Sequence, residues 1–187
     1  LLDWELPIGD ESLQEYAQRM AKKITAPNPV LIGVSFGGIL VQEMAAFLNP
    51  LKVIIISSVK SNVEFPRRMK IAKTTKAYKL IPTSIFSNIE KLSAFSFGKS
   101  IPQRLKLYER YLSVREVYYL DWAIENVLLW QRSIPDEKVI HIHGDDDMVF
   151  PISNIKNCIV VKGGTHIMIV NKYKWLNENL PKIILEE

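Results

Sequence analysis

The stretch LIGVSFGGIL, residues 31–40, decides how this chain folds. Pro29-Val-Leu-Ile-Gly-Val34 is a short, nearly all-apolar run, which is how a strand covered on both faces reads. From Gly37 to Leu48 the pattern changes to helical spacing, with Ile39, Leu40, Met44 and Leu48 along it. Ser35 therefore stands where a buried parallel strand hands over to a helix, with Gly33 two residues before it and Gly37 two residues after. A turn that sharp leaves no room for side chains at those two positions. It lifts the serine hydroxyl above the sheet edge, next to a helix N-terminus whose N–H groups favour developing negative charge. The pattern G-x-S-x-G is weak in isolation and gains its weight from this setting.

Working outward, residues 10–25 read as an amphipathic helix, with Leu13, Tyr16, Ala17, Met20, Ala21 and Ile24 on one face. Ser12 and Glu15 match a capping box, and Pro27 and Pro29 enforce a break. Residues 1–4, LLDW, read as the tail of a strand before that helix. Further buried strands are expected at Lys52–Ser57, Lys138–His143 and Asn157–Val161, and a last helix from near Met168 to Leu180, stopped by Pro181. Strands alternating with helices predict an α/β fold, a mostly parallel sheet with helices on both faces. Residues 62–135 break the rhythm. They lack a clear buried strand, and Val117, Leu120, Ile124, Val127 and Leu128 share one helix face. This segment reads as a helical insertion, placed over the carboxyl edge of the sheet where ligands bind in such folds. The core is then residues 1–61 and 136–187, and the insertion residues 62–135.

Composition bounds the function classes. A chain of 187 residues, 48% apolar and 24% charged, is enough for one domain with a real core. The single cysteine, Cys158, excludes an intramolecular disulfide and fits a reducing compartment, so a cytoplasmic protein is expected. No apolar run approaches the roughly 18 to 20 residues of a membrane span, so no stable membrane insertion is expected. The net charge of +4 is uneven: between Ser61 and Arg110 eleven Lys and Arg face three Glu, leaving −4 for the remainder. Such a segment suits an anionic substrate or surface, and equally a set of solvated helix faces. No aromatic-basic module of a nucleic-acid binder is present, so no nucleic-acid partner is expected.

A serine hydroxyl is a poor nucleophile unless a base takes its proton, usually a histidine held by a carboxylate. Of the three histidines, His166 lies in KGGTHIM just after the last strand, where Gly163 and Gly164 permit a tight loop at the same sheet edge. His141 and His143 alternate within KVIHIH and share one face, as imidazoles packed beneath a helix would. The loop after Lys52–Ser57 offers no acid before Glu64, whereas KVIHIH runs into Asp145, Asp146 and Asp147. The resulting order is serine, aspartate, histidine.

These motifs resemble the α/β-hydrolase superfamily from about residue 4 to the C-terminus. GVSFGG is similar to its nucleophile elbow, HGDDDMVFP to its acid loop and GGTHIMI to its histidine loop. In that family the acid commonly stands three residues after the loop glycine and four before the proline, and both counts fall on Asp147. The resemblance implies a serine hydrolase that cleaves an ester, thioester or similar acyl bond of a small molecule, without a cofactor. Ser35 is then the nucleophile, His166 the general base and acid, Asp147 the orienting carboxylate, and the Phe36 backbone N–H an oxyanion donor. Residues 62–135 become a cap, whose Phe65, Tyr78, Phe86, Phe95 and Phe97 either line an acyl pocket or pack the cap. The family draws its second oxyanion donor from a loop after an earlier strand. That loop and the N-terminal strands have no counterpart in this sequence, so a truncated chain or a relative with impaired catalysis is expected. A non-catalytic hydrolase-fold protein that binds a ligand is the alternative. His141-x-His143-x-Asp145-Asp146 also resembles the H-x-H-x-D-H cluster of metallo-β-lactamase-like hydrolases. With Asp146 in place of the last histidine, the ligands are too few for a dinuclear site, and no metal is expected.

Overall fold

The structure is a computed structural model and describes residues 1–80 and 116–186. These divide into two compact units: Leu1–Glu11 with Arg67–Trp130, and Ser12–Pro66 with Gln131–Glu187.

The second unit is built on a parallel sheet of four strands among the described residues: β1 (Val30–Val34), β2 (Lys52–Ile56), β3 (Ile140–Gly144) and β4 (Ile159–Val161). They lie side by side in chain order. The register sets Val34 beside Ile56 and Ile56 beside Ile142, so β1 and β2 end level, while β3 runs on to Gly144, which lies beside Val161 at the end of β4. Alternation along β2 divides the core. Ile54 and Ile56 join Ile142 and Val161 against Met168, Leu176 and Ile183, which lie on α5 (Met168–Asn171) and α6 (Tyr173–Leu185). On the opposite face Ile55 meets α2 (Phe36–Met44), where Gly38 lets the helix approach. In turn, α2 packs against α1 (Leu13–Ala21). Helices thus cover both faces, which is why these strands are almost continuously apolar.

Local signals hold at the start of α1. The Ser12 hydroxyl accepts from the Glu15 N–H, and the Glu15 carboxylate accepts from the Ser12 N–H. The predicted stop at Pro181 does not hold, because α6 continues to Leu185 with Pro181 inside it. Two features offset the lost backbone hydrogen bond. Ile183 is buried in the core, and Lys52 Nζ donates to the carbonyls of Ile183, Ile184 and Glu186, a cation on the helix's negative end.

In the first unit, residues 1–8 form no strand, contrary to the expectation for LLDW. Residues 1–11 are tied instead to α4 (Val117–Leu129). The Trp4 ring meets Tyr119 edge-on at 5.8 Å, Trp122 Nε1 donates to the Glu11 carbonyl at 2.7 Å, and the Tyr118 hydroxyl donates to the Gly9 carbonyl. The buried face of α4 is Tyr119, Trp122, Ala123 and Leu128. Val117, expected on the covered face, is exposed. Aromatic anchors set that face, and a count of aliphatic residues alone misses them. The basic helix α3 (Arg67–Thr75) buries none of its residues, and the buried Tyr78 donates to Glu125 Oε1 at 3.0 Å. Phe86, Phe95 and Phe97 lie outside the described residues. Among those described, no helix is long and apolar enough to cross a membrane.

Candidate active site

Ser35 sits on a backbone that few L-residues adopt, with φ 53° and ψ −121°, between β1 and the first turn of α2. Such a conformation costs on the order of 1–3 kcal/mol and persists only where the surroundings dictate it. Here they do. The Ser35 N–H donates to the Ile56 carbonyl at 2.9 Å, and its own carbonyl accepts from the Gly38 N–H at 2.9 Å and the buried Ser58 hydroxyl at 2.8 Å. Gln42, also buried, donates to the carbonyls of Gly38 and Val59, tying the helix to the chain beyond β2. The turn is so tight that a Cβ on Gly33 would stand 2.1 Å from the Gly37 carbonyl oxygen. Gly33→Ala is therefore expected to cost about 3 kcal/mol or more of unfolding free energy in urea. A variant within about 0.5 kcal/mol of the native chain would show that the turn is looser than described.

A second close approach joins the other two loops. A Cβ on Gly144, at the end of β3, would lie 2.1 Å from the Gly164 carbonyl oxygen in the loop after β4. That loop turns through Gly163 at φ 65°, and the Asp146 N–H donates to Gly164 O at 3.0 Å. Backbone against backbone, the two loops bring Asp147 and His166 together.

Ser35 Oγ lies 2.8 Å from His166 Nε2, and His166 Nδ1 lies 2.9 Å from Asp147 Oδ2. Ser35 makes no side-chain cap to α2, so its hydroxyl is directed to the imidazole. The other carboxylate oxygen of Asp147 accepts the N–H groups of Val149 at 2.7 Å and Phe150 at 2.9 Å. Burial works against ionisation of Asp147. The hydrogen bond and charge of His166, with the Phe150 N–H, outweigh it and hold the carboxyl below the usual range. An ionised carboxylate can only accept, so the proton of neutral His166 belongs on Nδ1. Nε2 then offers its lone pair to the serine.

The sequence-selected residues Ser35, Asp147 and His166 thus meet in one chain of hydrogen bonds. Phe36 supplies the first residue of α2. Asp145 and Asp146 are exposed, and Asp145 Oδ1 accepts from the Gly163 N–H. His141 and His143 are buried and spend nitrogens on each other, at 3.1 Å. Among the described residues, no group of three or more His, Cys, Asp or Glu side chains is arranged so that it could hold a metal ion. Sequence reasoning missed Phe150, whose ring stacks on Phe65 at 6.1 Å and meets His166 edge-on at 5.5 Å. It also missed Ser58 and Gln42, which brace the elbow. No local pattern marks these three.

No family model matches the sequence, and no curated protein matches it. Solved structures do. A hydrolase from Pseudomonas aeruginosa PA01 superposes with a TM-score of 0.65 at 15% identity, over 97% of this chain and 75% of its own. A thermophilic esterase from Thermogutta terrifontis gives 0.64 at 11% identity, over 96% and 74%. A bromoperoxidase from Bacillus anthracis gives 0.63 at 17%, over 97% and 77%. The chain has the α/β-hydrolase fold, which it shares with these proteins.

Proposed function

We propose that this protein is a serine hydrolase that cleaves an ester, thioester or similar acyl bond of a small molecule. The observation that carries this reading is the continuous path from Ser35 Oγ through His166 to the buried Asp147, at 2.8 and 2.9 Å. Ser35 Oγ attacks the acyl carbon as its proton passes to His166 Nε2, and Asp147 stabilises the imidazolium that forms. The negative charge of the tetrahedral intermediate develops toward the Phe36 N–H at the start of α2. Collapse breaks the acyl bond, and His166 returns the proton to the departing alcohol or thiol. Water, deprotonated by the same imidazole, then releases the acid and restores the serine. The hydrolase and esterase that share the fold support this chemistry by analogy.

A fluorophosphonate probe tests the proposal, because it phosphonylates only a serine activated in this way. Stoichiometric labelling of Ser35, absent in Ser35→Ala, is the expected result. A native chain that stays unlabelled under conditions that saturate a control esterase would instead mark a hydrolase fold that binds ligands without turning them over.

A further inference from the structure

We propose that His143 is a positioning residue of the triad, acting through Phe150 to hold Asp147 and His166 in register. The inference rests on the serine-hydrolase reading above. His143 is wholly buried on β3, and its Nε2 lies 2.8 Å from the Phe150 carbonyl. A carbonyl only accepts, so Nε2 carries the proton and donates. The same nitrogen is 3.6 Å from Asp147 Oδ2, the oxygen that faces His166. His143 Nδ1 then presents a lone pair and receives the N–H of His141 Nε2 at 3.1 Å.

Phe150 is the pivot of the arrangement. Its carbonyl is held by His143, its N–H donates to Asp147 Oδ1, and its ring packs edge-on against His166. A residue fixed at three points cannot rotate without moving both the acid and the base. The groups facing His143 are Asp147, His166 and His141. Burial keeps His143 neutral despite the neighbouring carboxylate. A neutral imidazole can spend Nε2–H on the Phe150 carbonyl while leaving the Asp147 charge for His166. The sequence marks His143 only as one of two alternating histidines in a strand. Its link to Phe150, seven residues on, exists only in the folded loop.

Three substitutions separate positioning from bulk. In His143→Gln a side-chain N–H is retained near the Nε2 position. In His143→Asn the amide sits near Nδ1 and falls short of the Phe150 carbonyl. His143→Leu keeps volume without any donor. Two measurements are made on the full chain: turnover of p-nitrophenyl acetate, and the low-field proton NMR resonance of the hydrogen bond between His166 and Asp147. The Asn and Leu variants are expected to lose kcat about tenfold with little change in KM, as a small misplacement of reacting groups does. Their low-field resonance should broaden or vanish. The Gln variant keeps the resonance and most of kcat.

The proposal is overturned if Asn and Leu retain the resonance and kcat, or if Gln loses both to the same extent as Asn. Should His143→Leu fail to fold, the comparison of Gln with Asn decides alone. A native chain that neither turns over the ester nor reacts with the fluorophosphonate overturns the hydrolase reading. The resonance still reports whether His143 holds Asp147 against His166, so the two failures are distinguishable.

Discussion

Asp147→Asn is expected to lower kcat for p-nitrophenyl acetate by about 10⁴-fold, the scale of loss when the orienting acid of a serine triad becomes an amide. The reason is the tautomer of His166. Asp147 Oδ2 accepts the proton on His166 Nδ1 at 2.9 Å and leaves Nε2 bare toward Ser35. The asparagine side chain fits the same space and can turn its NH₂ toward Nδ1. That drives the proton to Nε2, where it faces the serine hydroxyl it should accept from. Asp145 and Asp146 are the internal controls. Both are exposed, and Asp145 serves the Gly163 N–H. Their Asn variants should keep kcat within about threefold, as exposed positions away from the triad do. Equal losses at all three aspartates would show that the acid loop acts as a unit and that Asp147 has no separate role.

A large effect is also expected from acid, through His141. This side chain is 1% exposed, and burial, the positive charge that His143 could carry and the Lys60 ammonium push its pKa down to about 3. In the unfolded chain a histidine titrates near 6.5. Between those values the unfolded chain binds a proton that the folded chain refuses. The stabilising contribution is therefore complete above about 6.5 and is lost as pH falls toward 3. At about 1.4 kcal/mol per pH unit, moving from pH 7 to pH 4 removes on the order of 3 kcal/mol. His143, also depressed by burial, acts in the same direction. Glu64 opposes both, since burial raises its pKa and acid relieves the cost of its buried charge.

His141→Gln isolates this contribution. It retains a donor for His143 Nδ1 but cannot titrate. Unfolding free energies in urea at the two pH values should fall by about 3 kcal/mol less for this variant than for the native chain. If the two chains lose the same amount, His141 is charged or solvated in the folded state and the buried histidine pair is misread.

The sequence by itself determined the fold class and pointed to the serine and the histidine that meet at the candidate site. Apolar runs near 30–34, 52–56 and 140–144 have one reading as strands buried on both faces, and each became one. Ser35 was legible because G-x-S-x-G between a strand and a helix is a local steric requirement, met by the 2.1 Å approach at Gly33. His166 was legible because only three histidines exist and two of them share a strand. Choosing Asp147 among three adjacent aspartates took family spacing, since burial and partners decide that question and neither is a local property.

Tertiary structure alone decided the rest. Helix α6 passes through Pro181 because Lys52, far away in sequence, caps its carbonyls and the core buries Ile183. Tyr119 and Trp122 set the covered face of α4 because they find Trp4 and the Glu11 carbonyl, contacts that bridge more than a hundred residues. Ser58 and Gln42 support the site by donating to backbone carbonyls, and Phe150 by its own N–H and carbonyl as well as its ring, contacts to which side-chain patterns are blind. Periodicity records which residues a segment buries, while the partner across a loop depends on how segments are brought together.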